Sequence, residues 1–191
     1  MTYTQQLKEA PEALAYLREE RGLSDETIHR FALGYVTENN RVVIPYTTFC
    51  PVKGMVFHKF KYRAIDDSTP KYLEETGSKD RIFNPFAFLE PSPVIAVCEG
   101  EIDCMSAVQL GIPAIGIAGV SKWQTYYKRL FRGYDAIYIL QDKGQPGEKF
   151  AKQVKQDLPS AIIVPMDDDV NSDMRAIGEE QLRERILNAL H

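Results

Sequence analysis

Three short apolar runs in the C-terminal half of the chain are each followed at once by acids. VIAVC (94–98) leads into Glu99-Gly100-Glu101-Ile102-Asp103, DAIYIL (135–140) into Gln141-Asp142, and AIIVP (161–165), after Met166, into Asp167-Asp168-Asp169. Carboxylates gathered in one place repel one another unless a cation neutralises them. An all-oxygen donor set without His or Cys favours Mg²⁺ or Mn²⁺. Magnesium keeps waters and substrate phosphates in its shell, which suits phosphoryl or nucleotidyl transfer. Each acid also has a plainer reading. Glu101 and Asp103 can stabilise a helix N-terminus, Asp142 can be a turn residue ahead of a helix at Pro146, and Asp167 and Asp168 can sit in a solvated loop. Gly100 and Gly147 can be turn punctuation. Joint placement at one edge of one sheet carries the chemical reading, and no single acid does.

That placement depends on the elements around it. From Pro93 onward, strand-sized apolar runs alternate with helical stretches: VIAVC, a helix over Ile102–Leu110, PAIGIA, a helix over Lys122–Phe131, DAIYIL, a helix over Pro146–Asp157, AIIVP, and helical material after Asp173. This is the pattern of a parallel α/β sheet covered on both faces. In such a sheet all carboxyl ends share one edge, and ligands bind there. Asp103 falls about one helical turn after Glu99 and can face the same edge. The first half differs. Pro11–Glu20 reads as an amphipathic helix with Leu14, Tyr16 and Leu17 on one face, and Ser24 caps a short helix that Gly34 closes. RVVIPY and GMVFHKFKY follow as strands, the second alternating at Val56, His58, Phe60 and Tyr62. Pro91-Ser92-Pro93 marks the expected boundary between an N-terminal α+β subdomain (1–92) and an α/β domain (93–191).

Composition is that of an ordinary globular protein, 44% hydrophobic and 26% charged, with a formal net charge of −4. Between Lys53 and Arg81, seven basic residues face five acids, so a mildly basic surface accompanies the acidic pocket. Cys50, Cys98 and Cys104 form no CxxC pair and the three histidines are scattered, which argues against zinc and against a disulfide framework. The polar start is no secretory signal and no apolar run approaches a membrane span, so the expectation is a soluble, cytoplasmic protein without a membrane partner.

EGEIDCMSA, GIAGVSKW, LQDKGQPG and PMDDDVNSDM, in this order, resemble a TOPRIM domain over roughly Val94–Ile186. This is the catalytic fold of DnaG-type primases, type IA and type II topoisomerases and some nucleases. YLREERGLSDETIHRFALGYV and TPKYLEETGSKDRIFNP resemble the opening of the DnaG-type primase core and its PKYL segment. The compact form with PMDDDVNS looks most like primase-like proteins of bacteriophages, which would place the protein in a host cytoplasm. The resemblance implies a DNA-directed RNA polymerase that makes primers on single-stranded DNA from NTPs during replication, using Mg²⁺ or Mn²⁺. It assigns Glu99 as metal ligand or general base, Asp142 and Asp169 as further metal ligands, and Asp103 as a supporting acid. Lys71 takes the place of the PKYL lysine that faces template or nucleotide. Arg41, Lys59 and Lys61 are weaker candidates for phosphate contact. Tyr72 reads as packing rather than base stacking, and Trp123 as a core or rim residue.

The sequence departs from the family pattern at two positions. Gly144 stands where the second acid of Asp-x-Asp is expected, and Asn171 where a second acid is common in the last motif; Gln145 or Glu148 could compensate. No Cys/His cluster of a zinc ribbon is present and no helicase-binding domain is recognised, so a separate zinc-binding protein or a replicative helicase is the expected partner in trans. These departures keep two other readings open: a metal-dependent nuclease using the same acids, and a catalytically weakened nucleic-acid-binding subunit.

Overall fold

A capping box opens the chain: Thr2 accepts a hydrogen bond from the Gln5 backbone, and the Gln5 side chain accepts one from Thr2 N. It starts α1 (Tyr3–Lys8) in the structure, a computed structural model that describes Met1–Leu190. Proline at its first position starts α2 (Pro11–Ala15), which runs on as one π-helical turn, Tyr16–Glu20, burying Ala13, Tyr16 and Leu17. Ser24 caps α3 (Asp25–Arg30) by accepting from Thr27 N, as its sequence position predicts.

Four antiparallel strands follow, β1 (Gly34–Val36), β2 (Arg41–Cys50), β3 (Gly54–Ala64) and β4 (Tyr72–Glu74), hydrogen-bonded in that order. The β2–β3 register slips between Tyr46 and Thr47, which pair with Lys59 and Phe57. Phe60 and Tyr62 pack edge-on against Tyr3 of α1. The pleat therefore turns Lys59, Lys61 and Arg63 to the opposite face, where all three are buried.

The second sheet is parallel throughout, in the order β6-β5-β7-β8: β5 (Val94–Cys98), β6 (Ala114–Gly116), β7 (Ala136–Gln141) and β8 (Ile162–Pro165). Between and after the strands come α4 (Glu101–Gln109), α5 (Gln145–Asp157), α6 (Val170–Ile177) and α7 (Glu179–Leu187). Ile95, Val97, Ile115, Ile137 and Ile139 bury one face against Phe150, Ala151 and Val154 of α5. The mixed α/β fold expected from the strand–helix alternation is the one observed.

Three local expectations are corrected. Lys122–Phe131 is not an α-helix but two 3₁₀ turns, Val120–Lys122 and Thr125–Phe131, separated by extended Trp123 and Gln124. Trp123, Tyr127 and Phe131 all enter the core, and the Trp123 indole donates to Asp157 Oδ2 at 2.9 Å, so aromatic burial outweighs helical regularity. The last helical stretch begins at Val170 rather than after Asp173, because Asp169 caps α6. The chain divides into two compact units, Met1–Asp80 and Arg81 onward, rather than near residue 92. Phe83 bridges Gly116, the Asn84 amide donates to Ala114 O at 2.8 Å, and Ala87 is buried in the core, all within the second unit. Among the described residues no helix is long and apolar enough to cross a membrane.

Candidate active site and basic face

Asp142 stands directly after β7, at the carboxyl edge of the parallel sheet. Its Oδ1 is buried and has no hydrogen-bond partner. Burial, then the charges of Asp103, Glu99, Asp169 and Asp168, push its pKa up to about 8. These five acids thus form one electrostatic cluster drawn from three strand–helix turns. Helix α5 starts very close to Asp142: a methyl group on Gly147 would lie 2.0 Å from Asp142 O. Gly147 is a contact requirement and not merely punctuation.

Glu99 follows β5, half-buried, and burial raises its carboxyl above the usual range. Asp103, on the first turn of α4, is buried and accepts the Asn171 backbone N–H at 3.2 Å, joining α4 to α6. Asp169 spends Oδ1 on the α6 N-terminus, accepting from Ser172 N at 2.6 Å. Its bland role as a cap and its predicted role as a ligand are compatible, because a carboxylate has a second oxygen. As placed, no three His, Cys, Asp or Glu side chains among the described residues converge within ligating distance. The donor set nevertheless fits a hard divalent cation: it is all oxygen, and it contains a buried carboxylate oxygen with no partner. Cys98 and Cys104 lie in the core behind the site, and burial raises the Cys98 thiol well above its ordinary value.

The predicted cations of the first unit meet a different fate. Arg41 is buried and donates to the carbonyls of Pro70 (2.8 Å) and Lys71 (3.2 Å), so it shapes the backbone of the PKYL segment. Lys59 pairs with Glu74 at 2.8 Å and lies over the Tyr46 ring. Lys61 is 3.8 Å from Glu74 and lies over Tyr72, whose ring Arg63 shares. Tyr72 is accordingly a platform for cations. Lys71 alone of the four predicted cations is exposed, on the rim of a cleft of about 570 Å³ lined also by Tyr16, Arg21, Asp66 and Thr69.

The Toprim-like family pattern matches residues 96–174, the stretch that carries this acid cluster. The Gene 57 protein of Mycobacterium phage D29 is 40% identical over 147 residues, covering 76% of this chain and 97% of that protein. The DNA primase of Neisseria meningitidis serogroup A is 30% identical over 235 residues, covering 97% of this chain. The chain belongs to the DnaG-type primase family. It spans 40% of the meningococcal primase's length. The DnaG primase catalytic domain solved bound to ssDNA superposes with a TM-score of 0.76 at 24% identity, covering 97% of this chain and 76% of that one. Primase domains of bacteriophage T7 gp4 give 0.69 at 21%, covering 88% and 89%. At these identities the likeness establishes the fold.

The two positions read from the sequence as departures have defined places in the structure. Gly144 adopts φ 94° and ψ 177°, a backbone region essentially confined to glycine. Restoring an acid there by Gly144→Asp would strain the turn instead of rebuilding a ligand. Asn171 is buried and its amide donates to Ser106 Oγ at 2.9 Å, tying α6 to α4. Gln145 and Glu148 are exposed on the first turn of α5. Three residues outside the predicted set also shape these regions: Glu74, Arg63 and Asp173. Glu74 had a signal, since it follows PKYL in a strand-forming stretch opposite a lysine-rich one. Arg63 shared the alternation of Lys59 and Lys61. Asp173 was visible only as an acid four residues after Asp169.

Proposed function

We propose that this chain is the catalytic core of a DNA primase, joining ribonucleotides on a single-stranded DNA template by metal-dependent nucleotidyl transfer. The observation that carries the reading is Asp142: a buried, unpartnered carboxylate oxygen among four other acids, at the ligand-binding edge of a Toprim-like sheet. Glu99, Asp142 and Asp169 would hold Mg²⁺ or Mn²⁺, which when bound screens the triphosphate and makes the attacking hydroxyl more acidic. Glu99, whose carboxyl burial raises above its ordinary value, would accept the proton of that hydroxyl at a carboxylate oxygen. Asp103 supports the set by joining α4 to the start of α6.

Lys71 would meet template or nucleotide phosphate, with Arg41 holding its backbone in place. Lys59 and Lys61, engaged with Glu74, would add to the field without direct contact. A replicative helicase or a zinc-binding protein in trans would be its partner. The setting would be the cytoplasm, that of a host cell if a phage encodes the chain.

The test is incorporation of labelled NTPs on single-stranded DNA with Mg²⁺ or Mn²⁺. Wild type should extend, and Glu99→Gln should lose roughly 10²–10³-fold, the scale of removing one preorganised electrostatic group. Activity surviving that substitution would sink the mechanism. Degradation of the DNA without NTPs would favour the nuclease reading.

A further inference from the structure

Asp173 lies on the first turn of α6 and is only 3% exposed. Both its oxygens point back into the loop that carries the last acidic motif. Oδ2 accepts the Asp167 N–H at 2.8 Å and Oδ1 the Asp168 N–H at 3.1 Å. From α7, Arg185 closes the arrangement: Nη1 reaches Asp173 Oδ2 at 3.3 Å and Asp167 Oδ2 at 2.9 Å, while Nη2 donates to Pro165 O at 2.6 Å. One guanidinium thus grips the end of β8, the acidic loop and the helix after it. On the other side, the Lys143 N–H, next to Asp142, donates to Asp168 O at 2.7 Å.

We propose that Asp173 and Arg185 form a positioning latch that fixes the Asp167–Asp169 loop against Asp142 and so sets the affinity of the site for its divalent cation. The inference rests on the metal-binding reading above. Its physical basis is charge. Asp167, Asp168, Asp169 and Asp173 are four acids within seven residues, and Arg185 places a cation on two of them. A buried carboxylate that takes two backbone N–H groups is held by charge-assisted bonds. Removing either member loosens the loop at Asp168, whose N–H and C=O are otherwise both tied.

The experiment titrates the full chain with Mg²⁺ by calorimetry, comparing wild type, Asp173→Asn and Arg185→Gln, and follows backbone hydrogen exchange at Asp167 and Asp168. Both variants should bind Mg²⁺ about 10–100-fold more weakly, the usual effect of losing a group that orients metal ligands. The Asp167 and Asp168 amides should exchange faster while far-ultraviolet dichroism stays unchanged. Arg185→Gln keeps the test open if Asp173→Asn does not fold, because Arg185 is partly exposed. If wild type binds Mg²⁺ and both variants bind within about twofold of it, the latch is refuted and the metal site stands. Wild type that takes up no Mg²⁺ removes the metal reading and this inference together.

Discussion

On β3, Lys59, Lys61 and Arg63 lie buried side by side, yet the unit that gathers these charges also answers them: Glu74 meets both lysines, Tyr46 and Tyr72 offer ring faces, and the Tyr16 and Tyr72 hydroxyls accept from Arg63. At the carboxyl edge of the parallel sheet one buried carboxylate oxygen is left unanswered. Asp142 keeps a buried oxygen without a partner, and its neighbours raise its pKa further. Like charges with internal counterparts build architecture; like charges without them await something from outside. Lys59 and Lys61 of the first set were predicted as weaker phosphate contacts and are engaged by Glu74 and ring faces of their own unit. The second was predicted as a metal site, and its geometry keeps that need open.

The contrast can be broken most decisively at Asp142. Asp142→Asn should cut nucleotide incorporation by roughly 10²–10³-fold while making the metal-free protein more stable at pH 8, read by thermal unfolding. Loss of activity together with loss of stability would return Asp142 to the architectural class. Glu74→Gln probes the opposite region. It strands Lys59, and urea unfolding should show a loss of about 1–3 kcal/mol, below the cost of breaking a fully buried pair because Glu74 retains some water. A neutral result would mean that the tyrosines alone suffice for the lysines.

The two regions should also respond to pH with opposite sign. The Asp142 carboxyl is raised in the fold, so between about pH 4 and 8 the unfolded chain gives up a proton that the folded one keeps, and stability falls as pH rises. The Glu74 carboxyl is lowered, chiefly by Lys59 acting against its burial; its contribution is present above the ordinary carboxylate range and lost as pH falls through its folded value. Thermal unfolding across this range, with and without Mg²⁺, should show the stabilisation by Mg²⁺ growing with pH, and Asp142→Asn should flatten that dependence. The smallest effect is expected at Lys71. Lys71→Ala should leave stability within about 0.5 kcal/mol and lower the salt dependence of single-stranded DNA binding by about one phosphate contact. An unchanged salt slope would place the template elsewhere.

Much of this was legible before any coordinates. Acids after VIAVC, DAIYIL and AIIVP could be assigned to one edge because strand polarity in a parallel sheet follows from the alternation of strands and helices. Ser24 as a cap and the alternation along β3 are equally local. The segment at Lys122–Phe131 misled because its apolar residues sit four apart in either conformation, and only the demand of the core for Trp123 distinguishes them.

What the chain's own residues determined, then, is which charges exist and which sheet edge or strand face they occupy, since periodicity and chain direction are properties of neighbouring residues. Whether a charge is answered was decided by the tertiary structure. Glu74 reaches Lys59 across fifteen positions, Asn171 turns to Ser106 across sixty-five, and Gly144 adopts a backbone that favours glycine. Those partners meet only when the fold closes, and there the carboxylates after β5, β7 and β8 came to act on one another while the lysines of β3 became buried.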